Sequence, residues 1–286
     1  MNGAADISRS VLGRWAGWLG LGGAKPSQSD KGAAILRMPH LPQRFYAVGD
    51  VHGCCDLYIQ LEAHLAAISI AAQAKGTQQG EALVVVLGDV IDRGPATAQL
   101  LDYLVAPPPG GITRLVLRGN HEAMFLRFWA APRLNDAWLG HGGAAMLASY
   151  GVDVGDPALA RKGRLRQVLD SCIPTDHVEF LSRTPLALQL PGYILSHAGV
   201  NPDLVLDAQG EADLLWGDPE RLDRSGLDFG DIVIHGHRPL ADGQGYMGLR
   251  RINVDTGAYA TGRLTAVDVL DGAARCFVVA QRGDSF

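Results

Sequence analysis

Cysteine is scarce in this chain. Its 286 residues hold four, at Cys54, Cys55, Cys172 and Cys276, and no two are spaced as CxxC. So few thiols argue against a disulfide framework and fit a reduced, cytoplasmic setting. Long apolar runs are missing as well. No stretch reaches the roughly 18 residues of a membrane span, so no transmembrane segment is expected. Arg9 and Arg14 lie near the N-terminus, but no clean apolar core with a cleavage site follows, so no secretory signal is expected either. A basic surplus is absent: Lys and Arg number 25 against 30 Asp and Glu, a net charge of −5. Nucleic-acid binders usually show a basic patch, so nucleic acid is not an expected partner. No internal repeat is visible.

What is present is apolar bulk, 47% of the residues, enough for a large core. Residues 1–40 look like an arm. "SVLGRWAGWLGLGG" puts Leu12, Trp15 and Leu19 at helical spacing, and "AKPSQSDKG" after it is linker-like. The arm is read either as a docking element for a membrane surface or partner, or as a segment that packs on its own domain or stays disordered.

From 41 to 286 the pattern is that of one domain. "RFYAVGD" is a short strand. "DLYIQLEAHLAAISIAAQAK" is a helix with Asp56 as N-cap and a stripe of Leu57, Leu61, Leu65 and Ile68. "ALVVVLGD" reads as a strand buried on both faces, as in a parallel sheet. "ATAQLLDYLVA", "ITRLVLRGN" and "HEAMFLRFWA" continue the alternation as helix, strand and helix. This predicts an α/β fold with a βαβαβ core. A polar helical insertion is expected at about 132–183. Hairpins are expected around Pro191-Gly192 and Asp271-Gly272, with a further strand at "DIVIHGH".

Polar side chains gather where these strands end. They are Asp50 and His52 in "GDVHG", then Asp89, Asp92 and Arg93 in "GDVIDRG", then Asn120, His121 and Glu122 in "RGNHE". His197 follows in "SHAG", and His235 and His237 in "HGH". Five of the nine histidines fall in these clusters. One such cluster is an ordinary turn. Five at the carboxyl ends of strands, where open α/β sheets bind ligands, point to one convergent site. Carboxylate, imidazole and carboxamide without thiolate suit Mn²⁺, Fe or Zn²⁺. The number of ligands suggests two ions sharing a carboxylate, a pair that sits roughly 3.5–4 Å apart and clamps phosphoryl chemistry.

The ordered set GDVHG, GDVIDRG, RGNHE, SHAG and HGH resembles the calcineurin-like metallophosphoesterases, and within them the phosphoprotein phosphatase branch in its bacterial serine/threonine form. "DLLWGDPE" and "INVDTGAYATGRLTAV" are similar to that branch too, and the resemblance runs from about 44 to 270. It implies a four-layer β-sandwich, two packed mixed sheets flanked by helices. It implies that Asp50 and His52 hold a first divalent ion, that Asp89 bridges both ions, and that Asn120, His197 and His237 complete the second. His237 rather than His235 matches the family's Gly-His. Pro239 stands where wider members carry a last histidine ligand. Manganese is the expected metal, with iron or zinc as alternatives.

The chemistry implied is in-line attack on phosphorus by a metal-bridging hydroxide. Arg93 suits the non-bridging phosphate oxygens, with Asn120 as a further phosphate donor. His121 acts as general acid, oriented by Asp92. Glu122 is expected to hold Arg93 or a ligand. The pattern also calls for a second phosphate-binding arginine, Arg221 or Arg224, with Arg221 preferred.

Departures touch the substrate. "VDTGAYATGRL" differs from the C-terminal motif of the protein-directed eukaryotic members, and Arg238 replaces a threonine often found after Gly-His. His141 in "WLGHGG" either lines the cleft or is structural, and His235 is read as a buried strand-end histidine. Three readings follow. A serine/threonine protein phosphatase leads, a dinucleoside polyphosphate (diadenosine tetraphosphate) hydrolase is the alternative, and a pseudo-enzyme that binds phosphorylated partners comes last.

Overall fold

The computed structural model describes residues 35–224 and 230–283. Most of the arm expected at 1–40 therefore lies outside the described residues. Its last residues do not behave as a linker: β1 (Ile35–Arg37) pairs in parallel with β5 (Ala187–Leu190), Ile35 opposite Ala187.

The predicted βαβαβ core is present. It runs β2 (Arg44–Val48), α1 (Cys55–Ala74), β3 (Ala82–Val86), α2 (Thr97–Val105), β4 (Ile112–Val116). β3 is buried along its whole length because it pairs in parallel with β2 on one side and β4 on the other. β10 (Arg263–Leu270) adds to β2 antiparallel and β11 (Ala273–Gln281) to β10, giving a five-stranded sheet in the order β11-β10-β2-β3-β4. The β10–β11 turn is Asp271-Gly272, with φ of 50° and 75°, the left-handed pair that a two-residue hairpin needs.

The second sheet has six strands, β1-β5-β6-β7-β9-β8. β6 (Tyr193–Ser196), β7 (Ile232–His235) and β9 (Arg251–Asn253) run parallel to one another. β8 (Tyr246–Met247) is antiparallel at the edge. The Pro191-Gly192 turn joins β5 to β6 as predicted, with Gly192 at φ 81°.

Strand periodicity divides the layers. Tyr46, Val48, Val84 and Val86 face a helical layer that includes Leu57, Leu61, Leu65, Leu100 and Leu101. Phe45, on the opposite face of β2, meets Tyr193 of the other sheet edge-on at 5.3 Å. Ile194 and Val233 pack outward on Ala123, Leu214, Leu215 and Leu222. The molecule is thus two mixed sheets flanked by helices. Burial supplies most of its cohesion, at about 25 cal/mol per Å² of apolar surface.

Two local expectations differ from what is found. Helix α1 begins at Cys55 with Cys54 in the capping position, so Asp56 lies in the first turn, pairing with Arg282 at 3.2 Å. Ile68 is only half-buried, and Ser69 takes its place on the buried face, donating to the Gly111 carbonyl at 2.6 Å. The stretch between β4 and β5 is helical. It carries α3 (Asn120–Ala130), a turn at Leu139–Gly143 broken at Gly142 (φ 115°), α4 (Ala144–Ser149), α5 (Arg164–Cys172) and α6 (Thr175–Ser182). Beyond β6 come α7 (Glu211–Trp216), α8 (Arg221–Arg224) and, after β9, α9 (Ala258–Thr261).

Candidate metal centre

The loops after β2 and β3 are stitched together by their backbones. Val51 and His52 donate to the Asp89 carbonyl at 3.2 and 2.8 Å, and Gly53 donates to that of Val90 at 2.9 Å. Glu122, in the first turn of α3, fixes the same loop from the other side. Its carboxylate accepts the N–H of Asp89 at 2.9 Å, of Val90 at 2.9 Å and of Gly119 at 2.7 Å. It therefore holds the backbone of the expected ligand Asp89, the second of the two roles the sequence suggested for it, and not Arg93. Gly119 has to be glycine, since a Cβ there would lie 2.1 Å from Asp89 Oδ1.

From the second sheet, the Gly236 N–H donates to the His197 carbonyl at 2.9 Å, and the His237 N–H to Asp50 Oδ1 at 3.1 Å. A Cβ on Gly236 would lie 2.1 Å from that same oxygen. Two sheets thus meet at their strand ends. The backbone there is strained: His52, Asp89, Asp92, Arg93 and His237 all have φ between 45° and 70°. A left-handed non-glycine residue costs on the order of 1–3 kcal/mol and persists where the surroundings over-determine it, commonly at functional sites.

Asp89 is central. Its Oδ2 lies 3.6 Å from His52 Nε2, 3.5 Å from His197 Nε2 and 3.8 Å from His121 Nε2. Two groups of three donors able to hold an ion share it: His52, Asp89 and His121, and Asp89, His197 and His237. Asn120 joins the second group, its Oδ1 2.7 Å from His197 Nε2 and 3.1 Å from His237 Nδ1; these two nitrogens are themselves 3.0 Å apart. Asp50 sits beside it, Oδ1 4.0 Å from His197 Nδ1.

The donor set fits a divalent ion. His52 Nδ1 faces the Ile91 carbonyl at 2.8 Å, and His197 Nδ1 that of Leu87 at 3.0 Å. A proton on each Nδ1 satisfies those carbonyls and leaves both Nε2 lone pairs directed inward. His197 Nε2 then meets the Asn120 carbonyl oxygen with no proton between them. Spacings near 3 Å are what donor atoms roughly 2.1 Å from a shared ion make with one another.

Electrostatics agree. Burial raises Asp50 well above the usual carboxylate range, with Asp255 and Asp89 adding to it, and pushes Asp89 up to about 8. Burial holds His52 and His197 well below the ordinary imidazole value and His237 at about 4. Carboxylates that resist ionisation beside imidazoles that resist protonation are relieved together by a cation.

The remaining predicted residues divide. His121 Nδ1 lies 2.6 Å from Asp92 Oδ2, and its Nε2 accepts from Arg93 Nη2 at 3.2 Å. Arg93 Nη1 donates to the Tyr259 hydroxyl at 2.8 Å, with the guanidinium 4.7 Å from the ring centroid, and the Arg93 N–H donates to the Gly142 carbonyl at 3.2 Å. Arg221 is not brought into this group. Its guanidinium pairs with Asp203 and reaches Asn201 Oδ1 at 3.4 Å. Arg224 pairs with Asp218 at 3.1 Å, and Arg238 reaches the same carboxylate at 3.5 Å. His141 is exposed, one residue from the Gly142 carbonyl that holds Arg93. His235 is buried and accepts from Arg251 Nη1 at 3.3 Å, a guanidinium that also holds Asp223 at 2.6 Å.

Three residues at the site had no assigned role in the sequence. Trp138 donates its indole N–H to Asp92 Oδ2 at 2.6 Å. Tyr259 stacks on Arg93 and stands edge-on to His52 at 5.2 Å. Asp255 is buried beside Asp50, raised to about 6 by burial. Asp255 and Tyr259 belong to "DTGAY" and Trp138 to "WLGHGG". Both stretches stand out by similarity, but no spacing rule brings them to the metal loops.

The chain matches a family model described as calcineurin-like phosphoesterase over residues 43–266. Among curated proteins it is 25% identical over 238 residues to the asymmetrical bis(5'-nucleosyl)-tetraphosphatase PrpE of Geobacillus thermodenitrificans, covering 77% of this chain and 88% of that one. Among solved structures it is similar to one described as a "putative diadenosine tetraphosphatase", with a TM-score of 0.55 and 20% identity over 88% of this chain and 100% of that one. It is also similar to a serine/threonine phosphatase of Saccharomyces cerevisiae, with a TM-score of 0.50 and 14% identity over 98% and 90%. These structural similarities concern the fold.

Proposed function

The chain belongs to the calcineurin-like phosphoesterase family, whose members are metal-dependent phosphoric ester hydrolases, and on that premise we propose that it hydrolyses dinucleoside polyphosphates. Asp50 and His52 would hold one ion, Asn120, His197 and His237 the other, with Asp89 common to both. Two divalent ions held there, manganese foremost, supply positive charge for the phosphate oxygens and a water acidic enough to attack at neutral pH.

The chain's own groups do the rest. The Nδ1–H bonds of His52 and His197 to carbonyls keep each Nε2 free as a donor to metal. Arg93 presents planar N–H groups at the mouth of the site, suited to two non-bridging oxygens at once. The Asn120 amide N–H is a further donor to the phosphate. When Arg93 turns from His121 to the phosphate, Nε2 is free to take up a proton, and the imidazolium, held through Nδ1 by Asp92, would give that proton to the leaving oxygen. Burial of Asp50, His52, Asp89 and His197 keeps bulk water from competing for the ions.

The observation that carries the substrate reading is the similarity to a bis(5'-nucleosyl)-tetraphosphatase over 77% of this chain and 88% of that one. The Tyr259 ring, 41% exposed beside the phosphate-facing Arg93, supports it as a flat surface for a base. The second reading is hydrolysis of phosphoserine or phosphothreonine, favoured by the five ordered motifs. Rates on diadenosine tetraphosphate and on a phosphopeptide, measured with the same manganese-loaded preparation, separate the two. The first reading expects the dinucleotide to react at least about tenfold faster in kcat/KM, a transition-state difference of about 1.4 kcal/mol. A phosphopeptide rate above that of the dinucleotide reverses the order.

A further inference from the structure

We propose that Trp138 is a positioning residue for the His121–Asp92 pair, its indole N–H fixing the carboxylate that holds His121. The inference rests on the reading of His121 as proton donor given above.

Asp92 stands in a left-handed backbone conformation, φ 70°, and is fully buried. Its Oδ1 finds no hydrogen-bond partner among the described residues. Both bonds that orient the carboxylate fall on Oδ2, at 2.6 Å from His121 Nδ1 and 2.6 Å from Trp138 Nε1. One of these is the group to be positioned. The other is therefore the fixed reference. A lone bond to His121 would let ring and carboxylate turn together; two donors on one oxygen define where the imidazole must stand.

Trp138 is built to be that reference. It is 1% exposed, its ring lies 5.5 Å from Phe125 and 4.7 Å from Phe128, and Gly143 approaches it so closely that a Cβ there would fall 2.4 Å from the ring. Its backbone N–H is tied to Asp136 Oδ1 at 2.9 Å. The same turn holds Arg93 through the Gly142 carbonyl. The helical segment between β4 and β5 thus reaches both the proton-transfer pair and the phosphate-facing arginine. An indole that served packing alone would not aim its N–H at the carboxylate beside His121.

The test is a leaving-group series of aryl phosphates with the metal-loaded full chain, comparing Trp138→Phe and His121→Asn. A defect in proton donation weighs most on the most basic leaving oxygen, so Trp138→Phe should lower kcat by about tenfold or more on phenyl phosphate but by less than about threefold on p-nitrophenyl phosphate. A merely structural loss would lower both equally. Equal losses in Trp138→Phe, with a clear leaving-group dependence in His121→Asn, overturn the role of Trp138 alone. No such dependence in His121→Asn overturns the reading of His121 itself.

If Trp138→Phe does not fold, benzothienylalanine at position 138 keeps the ring and removes the N–H. A second readout needs no turnover. In ¹⁵N-indole spectra the Trp138 resonance should shift in Asp92→Asn while the other four tryptophans stay. An unmoved Trp138 resonance contradicts the proposal.

Discussion

At the scale of single residues, Asp89, Asp92 and Arg93 show how neighbours in sequence come to serve different chemistry. All three adopt left-handed backbone, and the turn fans their side chains apart. Asp89 reaches three imidazoles, Asp92 reaches His121 and Trp138, and Arg93 reaches His121 and Tyr259. Asp92→Asn should therefore slow turnover by roughly 10²–10⁴-fold without releasing metal. Metal analysis of the purified variant checks this, and loss of an ion would mean that Asp92 is a ligand. His235 gives a second prediction. Burial holds it at about 3, against 6.5 unfolded. Its folded value is depressed, so its contribution to stability is whole above pH 6.5 and declines as pH falls from there toward 3, by up to about 1.4 kcal/mol per unit. The buried carboxylates act in the opposite sense. The difference between the parent and His235→Gln in urea midpoints from pH 7 to pH 4 isolates the histidine, and parallel curves would contradict it.

Asp50, His52, Asp89, Asn120, His121, His197 and His237 were legible because each lies within five positions of the end of a strand and brings metal-type chemistry. Arg221 was not, because an exposed guanidinium takes whichever carboxylate the fold brings near, here Asp203. Tyr259 and Trp138 were not, because aromatic residues in loops carry no periodicity. Only the close approach of Gly142 to Arg93 and of Gly143 to Trp138 explains the "GG" of that turn.

At the scale of elements, the parallel core was readable from uninterrupted apolar runs such as Leu83–Val86, and both hairpins from their turn dipeptides. Buried charge was not readable. Glu62 lies on the inner face of α1, where it accepts from Arg114 Nε at 2.6 Å and Nη2 at 2.8 Å, and from the hydroxyls of Tyr58 and Tyr103 at 2.8 Å each. Arg114 Nη1 also donates to the carbonyls of Leu104 and Ala106 at 3.0 and 3.2 Å, closing the end of α2. One ion pair thus ties α1, α2 and β4. Removing one partner strands the other, so Glu62→Ala should cost about 3–5 kcal/mol. Urea unfolding measures it, and a loss under 1 kcal/mol would show that the network contributes little.

At the scale of the whole molecule, the site exists only where two sheets meet. One sheet contributes the loops after β2, β3 and β4, the other those after β6, β7 and β9. The sequence marked these strand ends without showing that both sheets present them to one point. That depends on their packing, which rests on contacts such as Phe45 on Tyr193. Among the described residues no helix is long and apolar enough to cross a membrane. The central claim is that this junction holds two ions around Asp89. Equilibrium titration of metal-free protein with Mn²⁺ tests it most directly. Two ions should bind per chain, and Asp89→Asn should lose tight binding at both sites. Binding of one ion or none, or an Asp89→Asn variant that still takes up two with unchanged affinity, would contradict it.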